Sequence, residues 1–333
     1  MIFNKNEKGA QEIRNITGMY YGNNDFDRIR TNILLETKNI CKTVGNAVFE
    51  RAKTFYFSAN FEADAQNATQ AQIEQNALNR ALVSNLQMPI ALFACYHYKQ
   101  ENIISHEDDG ARVKIDNDHE KLPWEWMYDR DDAAFLRKAY AAVDLLIDFL
   151  EEKQIAEWID SPRRVVLRSI FISTAQEFNA VFPIDHSHRF FYELAPFIEE
   201  NQQLLLAPAL GCELYDEFLT KYQQNQITTA QDKRILTLIQ RFLALQTIET
   251  ACLRFAISVF PEGIAQRFLA SSGGRHASNA PNDESIRKYA TLIAKQAESA
   301  LNDVKMAVKN LRAADINYPL LPNNKASNGF FRT

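Results

Sequence analysis

Few side chains in this 333-residue sequence combine in type and spacing toward chemistry. His186-Ser187-His188 is an H-x-H that could present two imidazoles on one side of a strand and so hold a metal. Placed directly before a helical pattern, it reads instead as capping and surface residues. His97 lies in a nearly apolar stretch and reads as a core or interface histidine with one hydrogen-bond partner. Glu107-Asp108-Asp109 and Asp116-Asn117-Asp118 gather carboxylates near a glycine, as part of a calcium loop would. The pattern D-x-[DN]-x-[DN]-G is not met, so a solvated arm is the reading. Arg163-Arg164 could grip a phosphate, or supply a helix start or an interface charge; the second use is the commoner. Trp124 and Trp126 could anchor an interface or simply cover the edge of a core, and both readings stand. The sequence contains no G-x-G-x-x-G, G-x-x-x-x-G-K-[ST], H-E-x-x-H or G-x-S-x-G. The expectation is therefore a protein with no catalytic, cofactor or metal site, not an enzyme.

Composition sets the frame for that expectation. Apolar residues make up 46% and charged residues 24%, enough for a sizeable core, and ten glycines and ten prolines favour helices over a turn-rich β fold. The length suggests two domains. A net charge of −5 argues against a protein that coats nucleic acid, yet it allows a ring through which DNA passes ungripped. The opening residues, MIFNKNEKGAQ, lack the apolar segment of a signal peptide, and no run reaches the ~18 apolar residues a membrane span needs. Cys41, Cys95, Cys212 and Cys252 stand singly inside helical patterns and read as small buried hydrophobes in a reducing compartment.

The elements follow from apolar spacing. In residues 189–222, Phe191, Leu194, Phe197, Ile198, Leu204, Leu205, Leu210, Leu214, Tyr215 and Phe218 recur at three and four, the period of amphipathic helix. Pro196 is tolerable in a first turn, which places the helix start near it. Pro208 and Gly211 predict a tight corner, with Pro208 restraining Ala207 from helical geometry and a second helix running from about Gly211 to Tyr222. Residues 25–56 carry the same pattern. Phe26, Ile29, Ile33 and Ile40 align with Phe191, Leu194, Ile198 and Leu205, 165 positions on (191 minus 26). After a one-residue slip, Val44, Gly45, Val48, Phe49 and Tyr56 align with Leu210, Gly211, Leu214, Tyr215 and Tyr222. The coincidence of the glycine and the closing tyrosine favours an internal duplication over two unrelated helix pairs sharing a pattern by chance.

The chain in order supports the same plan. Each half reads helix, corner, helix, polar linker, buried helix, β-like arm, long helix. The buried helices are residues 81–98, which Pro89 should start or kink, and 233–260; the long helices are 131–153 and 282–311. Arg112-Val113-Lys114-Ile115 alternates as a strand does, with turn chemistry at Asp116-Asn117-Asp118, and Gln266-Arg267-Phe268 precedes the turn residues Ser271-Ser272-Gly273-Gly274. Arg112, Val113, Ile115, Trp124, Trp126, Gln266 and Phe268 are thus the candidate interface-arm residues, and Gly45, Pro208 and Gly211 the structural corners. The expected organisation is an N-terminal arm (1–24), a first helical module (25–153), a linker (154–188), a second module (189–312) and a Pro/Asn-rich tail (313–333).

At the P-x-L-G corner, LLLAPALGCELYDEF preceded by FFYELAPFIEENQ resembles an uncharacterised family of Bacteroidetes phages and prophages, itself similar to the head–tail connector (adaptor) proteins of tailed phages. The first half keeps Gly45 but lacks the proline. The resemblance implies a mainly α fold of two tandem connector-like helical modules, each with a projecting β-hairpin or extended arm. It implies a structural virion protein made in the bacterial host cytoplasm and located at the head–tail junction, with no membrane association. Its implied partners are other copies of itself in a homo-oligomeric ring (a dodecamer, for example), a portal protein, a tail or neck protein, and DNA passing through the channel without sequence-specific binding. The alternative is a helical binding or scaffold protein outside virions.

Overall fold

The computed structural model describes residues 1–18, 26–103, 105–107, 110–112, 124–254, 257–260, 263–266 and 283–315, and the architecture is mainly α. The first half comprises α1 (Gly9–Thr17), α2 (Phe26–Val44), α3 (Asn46–Tyr56), α4 (Gln70–Glu101) and α5 (Glu125–Glu152). Two short helices, α6 (Ala156–Ile159) and α7 (Pro162–Leu167), lead on. The second half comprises α8 (Ala175–Val181), α9 (His188–Asn201), a π-helical segment (Gln202–Leu206), α10 (Ala207–Leu210), α11 (Cys212–Gln223), α12 (Ala230–Arg254) and α13 (Asp283–Asp315).

Each half has its own apolar core. In the first, α2 buries Phe26, Ile29, Ile33 and Ile40 while α4 buries Leu82, Leu86, Ile90 and Ala94; α5 adds Ala139, Leu146 and Leu150. In the second, α9 buries Phe191, Leu194 and Ile198, α12 buries Ile235, Ile239 and Leu243, and α13 adds Ala297, Ala300 and Val304. Thr69 opens α4 with a capping box to Gln72, so the polar stretch before residue 81 is its solvated first turns. Ser161, Thr174 and Ser187 cap α7, α8 and α9 in the same manner, each accepting a backbone N–H three residues on. The stretches 1–24 and 154–188 also carry core residues: Ile2, Phe3 and Ile13 in the first, Leu167, Ile170, Phe171 and Phe178 in the second.

The corners differ from the sequence reading at one residue. Both reversals are made by glycine: Gly45 at φ 94°, ψ 148° and Gly211 at φ 83°, ψ 145°. That region admits essentially no residue with a Cβ. Pro208 makes no corner. It lies within α10, and Ala207 before it is helical at φ −57°, ψ −45°. A proline ring would collide with the carbonyl four residues back in a straight α-helix. The wide π turn at Gln202–Leu206, immediately upstream, relieves that collision. The same turn absorbs the extra residue that shifts the alignment of the halves from 165 to 166. Pro196 likewise sits inside α9, which begins at His188 rather than near the proline.

Matched contacts close both halves. Tyr56 Oη donates to Glu12 Oε1 at 2.6 Å, and Tyr222 Oη donates to Glu177 Oε2 at 2.8 Å. Gln87 Nε2 donates to the carbonyl of Ile2 at 2.6 Å, and Gln240 Nε2 to that of Phe171 at 3.0 Å. Burial pushes both tyrosine phenols well above their ordinary range, with the neighbouring glutamate acting in the same direction.

Two short antiparallel pairings stand where arms are expected. Ser105–Glu107 pairs with Gly110–Arg112, and Ile257–Phe260 with Gly263–Gln266. They are three and four residues long and begin earlier in sequence than the expected strands. Helix α12 ends at Arg254 to admit the second of them. Of the predicted arm residues, Arg112 pairs with Ser105 and Gln266 with Ile257. Val113, Ile115 and Phe268, and the turns expected at 116–118 and 271–274, lie outside the described residues. These pairings do not by themselves make projecting arms.

Gly45→Ala and Gly211→Ala should each lower the unfolding free energy by roughly 1–3 kcal/mol, because each forces a Cβ into left-handed backbone. Urea denaturation followed by circular dichroism measures this. Pro208→Ala, away from the corner, should cost less than either.

Candidate functional site: the seam between the halves

Charged and aromatic side chains gather where the two halves meet. The N-terminus of α9 lands on α5. His188 is buried, its amide donates to Asp144 Oδ1 at 2.8 Å, and its Nε2 lies 2.8 Å from Asp148 Oδ1. The Arg189 amide also reaches Asp144 Oδ1, at 3.4 Å, and its guanidinium lies 4.0 Å over the ring of Tyr140. Asp144 answers the exposed N–H groups at the helix start, Asp148 takes the His188 imidazole, and both carboxylates suit the helix dipole. Burial raises the carboxyl of Asp144 above the ordinary aspartate range, against the lowering effect of the His188 amide and charge.

The short helices extend the seam. Glu151, at the end of α5, accepts from Trp158 Nε1 at 2.9 Å and lies 2.8 Å from Arg164 Nε. Arg164 also donates to the carbonyl of Ser173, which belongs to the second half. Arg163 stacks 4.8 Å over Tyr192. Tyr192 packs on both cores, and burial raises its phenol strongly. Arg51 on α3 meets Glu157 on α6 at 2.8 Å. A cleft of about 490 Å³ opens along this line, bounded by Glu36, His97, Tyr140, Arg163, Arg189 and Tyr192.

The residues singled out from sequence fall differently about this seam. His186 and His188 do not act together: His186 engages Asn179 at 3.1 Å, while His188 is taken by Asp148. His97 lies at the cleft, 3.5 Å from Glu36. Arg163 and Arg164 serve as interface charges joining the halves. Trp124 and Trp126 are exposed, at 71% and 47%, and cover no core edge. The cysteines are all free. Cys95 is buried, but Cys212 is exposed because it opens α11 directly after the glycine corner. Burial pushes the thiols of Cys41 and Cys252 up. Among the described residues, no group of three or more His, Cys, Asp or Glu could hold a metal, and no helix is long and apolar enough to cross a membrane.

Asp144, Asp148, Glu151 and Tyr192 are absent from the sequence reading. Asp144, Asp148 and Glu151 lie some forty residues from His188 in a different helix, and Tyr192, one turn on in the same helix, belongs to no local motif with them. The seam brings guanidinium groups onto aromatic faces and carboxylates onto a helix start. It supplies binding and orientation between modules, and pairs no nucleophile with a base.

A profile of the Family of unknown function (DUF6712) matches residues 41–166 and again residues 206–330. The chain belongs to this family. No curated protein and no solved structure matches it.

Tyr192→Ala should cost roughly 3 kcal/mol, by analogy with other large-to-small aromatic changes, and lower the melting temperature measured by calorimetry. Because the Asp144 carboxyl is raised in the folded state, the native protein binds its proton more readily than the unfolded chain does. The stability it contributes therefore falls as pH climbs through the window just above about 4. Asp144→Asn keeps an acceptor for the His188 amide and should flatten that part of the melting temperature–pH curve.

Proposed function

We propose that this chain is a structural subunit of a tailed-phage virion, a head–tail connector or adaptor that assembles as a ring between portal and tail. The observation that carries this reading is the doubled helical body itself: two halves with matched glycine corners and matched tyrosine–glutamate closures, joined by a seam that binds rather than reacts. A duplicated connector-like module accounts for that plan and for the double family match. The resemblance of the P-x-L-G corner to the phage family supplies the setting.

Several surface features support an assembly role. Leu34, Leu35, Leu204, Val165 and Val166 are exposed on different helices, and Trp124 and Trp126 stand exposed at the start of α5. Aromatic residues of that kind are the usual anchors of protein interfaces. The segments around the paired strands are proposed as arms reaching neighbouring subunits, where strand addition would satisfy their backbone groups. The net charge of −5 suits a channel past which DNA slides without adhering.

Electron microscopy of the purified protein mixed with a tailed-phage portal protein tests the proposal. The expected result is a ring seated on the portal, and mass spectrometry of purified particles should find the chain. A chain absent from particles, or one that never joins a portal, overturns it.

A further inference from the structure

The cleft along the seam holds a charge arrangement that no contact within the chain completes. Its inner end is acidic. Glu36 on α2 lines the cleft with only 7% of its surface exposed. A carboxylate so far from water is costly unless its oxygens are answered. Asn39 Nδ2 donates to Oε1 at 3.1 Å, and the His97 imidazole stands 3.5 Å from the same oxygen. The other oxygen, Oε2, accepts no hydrogen bond among the described residues and is not sealed from solvent. Glu36, Asn39 and His97 also line an adjoining hollow of about 440 Å³ between α2 and α4, so the groove runs on beyond this carboxylate.

The outer end is cationic. Arg163 on α7 is exposed, stacks on Tyr192, and meets no carboxylate among the described residues. Arg189 lies over Tyr140, and its Nε is 3.4 Å from Glu193, a pair about half exposed. The rings hold both guanidinium groups in place. Between the two ends the wall is apolar: Phe93 meets Tyr140 edge to face at 5.1 Å, beside Ile40 and Val143. A simple anion would be set against Glu36, and a simple cation against the two arginines. A ligand that carries both charges, one at each end of an apolar stem, answers both.

We propose that the cleft binds an ω-amino carboxylate, the chemistry of lysine, either free or as the last residue of a polypeptide. The ammonium donates to Glu36 Oε2, the alkyl stem lies along Phe93, Ile40 and Val143, and the carboxylate pairs with the Arg163 guanidinium. An ammonium brings three donors to an oxygen that has none, and a guanidinium takes a carboxylate through two parallel bonds. The cleft's volume of about 490 Å³ falls in the range of small-molecule sites. This binding is separate from the assembly role proposed above and does not depend on it.

Isothermal titration calorimetry of the full chain tests the site, with ε-aminocaproate as the probe. Caproate, which lacks the ammonium, and pentylamine, which lacks the carboxylate, should each bind at least about tenfold more weakly. Glu36→Gln, which keeps an acceptor for Asn39, and Arg163→Gln should each weaken ε-aminocaproate binding at least about tenfold. Arg163 is exposed, so its variant decides the matter if Glu36→Gln lowers the melting temperature. Free L-lysine and the peptide Gly-Gly-Lys separate the two sources. Lysine binding as tightly as the peptide assigns the free amino acid; a tighter peptide, weakened by amidation of its carboxylate, assigns a polypeptide end. No binding of ε-aminocaproate, lysine or the peptide overturns the proposal. So does binding that either truncated analogue matches, or that Arg163→Gln or a folded Glu36→Gln leaves unchanged. In each of those cases the connector reading stands, since the portal experiment decides it separately.

Discussion

A long amphipathic helix can cover only one side of its core, and to bring a second helix back against the same core the backbone must reverse within one residue. Here that reversal is made twice by a glycine near φ +90° and ψ +145°. Everything downstream in each half depends on it. The turn redirects the chain into α3 and α11, which carry Tyr56 and Tyr222 to the glutamates on α1 and α8. Those bonds in turn pin the first apolar residues of each half, Ile2 with Phe3 and Ile170 with Phe171, beneath the long helices α4 and α12. A side chain at either glycine would strain the hinge from which the closure hangs, which ties a local dihedral constraint to the integrity of a whole core.

The seam is a different kind of contact from the cores. It is polar at its centre, with carboxylates from α5 meeting a helix start on α9, and it has one large aromatic, Tyr192, touching both cores. Such an arrangement orients two bodies without merging them. Half-buried carboxylates and stacked guanidinium groups fix direction and register more than they add stability.

Much of the body is legible in the sequence because helices announce themselves by period. The spacing of Phe191, Leu194 and Ile198, and of Phe26, Ile29 and Ile33, identifies the buried faces of α9 and α2 directly. Gly45 and Gly211 are legible as reversals for the same reason that only glycine suits them. Pro208 misleads because a proline's effect depends on the register of the preceding turn, and a π segment is visible only by comparing the halves. The closing glutamates had a signal, the triplet Ala-Gln-Glu at 10–12 and again at 175–177, but it lies ahead of the helices whose pattern draws the eye. The seam had none. Asp144, Asp148 and His188 are ordinary surface residues in type, and only the packing of α5 on α9 makes them a unit.

The two halves agree in their cores and differ in charge at the seam. Core positions keep their character across the halves because each must fill the same volume: Ile33 and Ile198, Ala91 and Ala244, Ala139 and Ala300 are all buried. Once two copies are fused, however, their outer faces no longer meet identical neighbours. The α5 face meets α9 of its own chain, so its acidic pair is held by His188 and the helix start. On α13 the matched positions carry the exposed Lys305 and Lys309, so the carboxylates with which α5 holds a helix start are not repeated there.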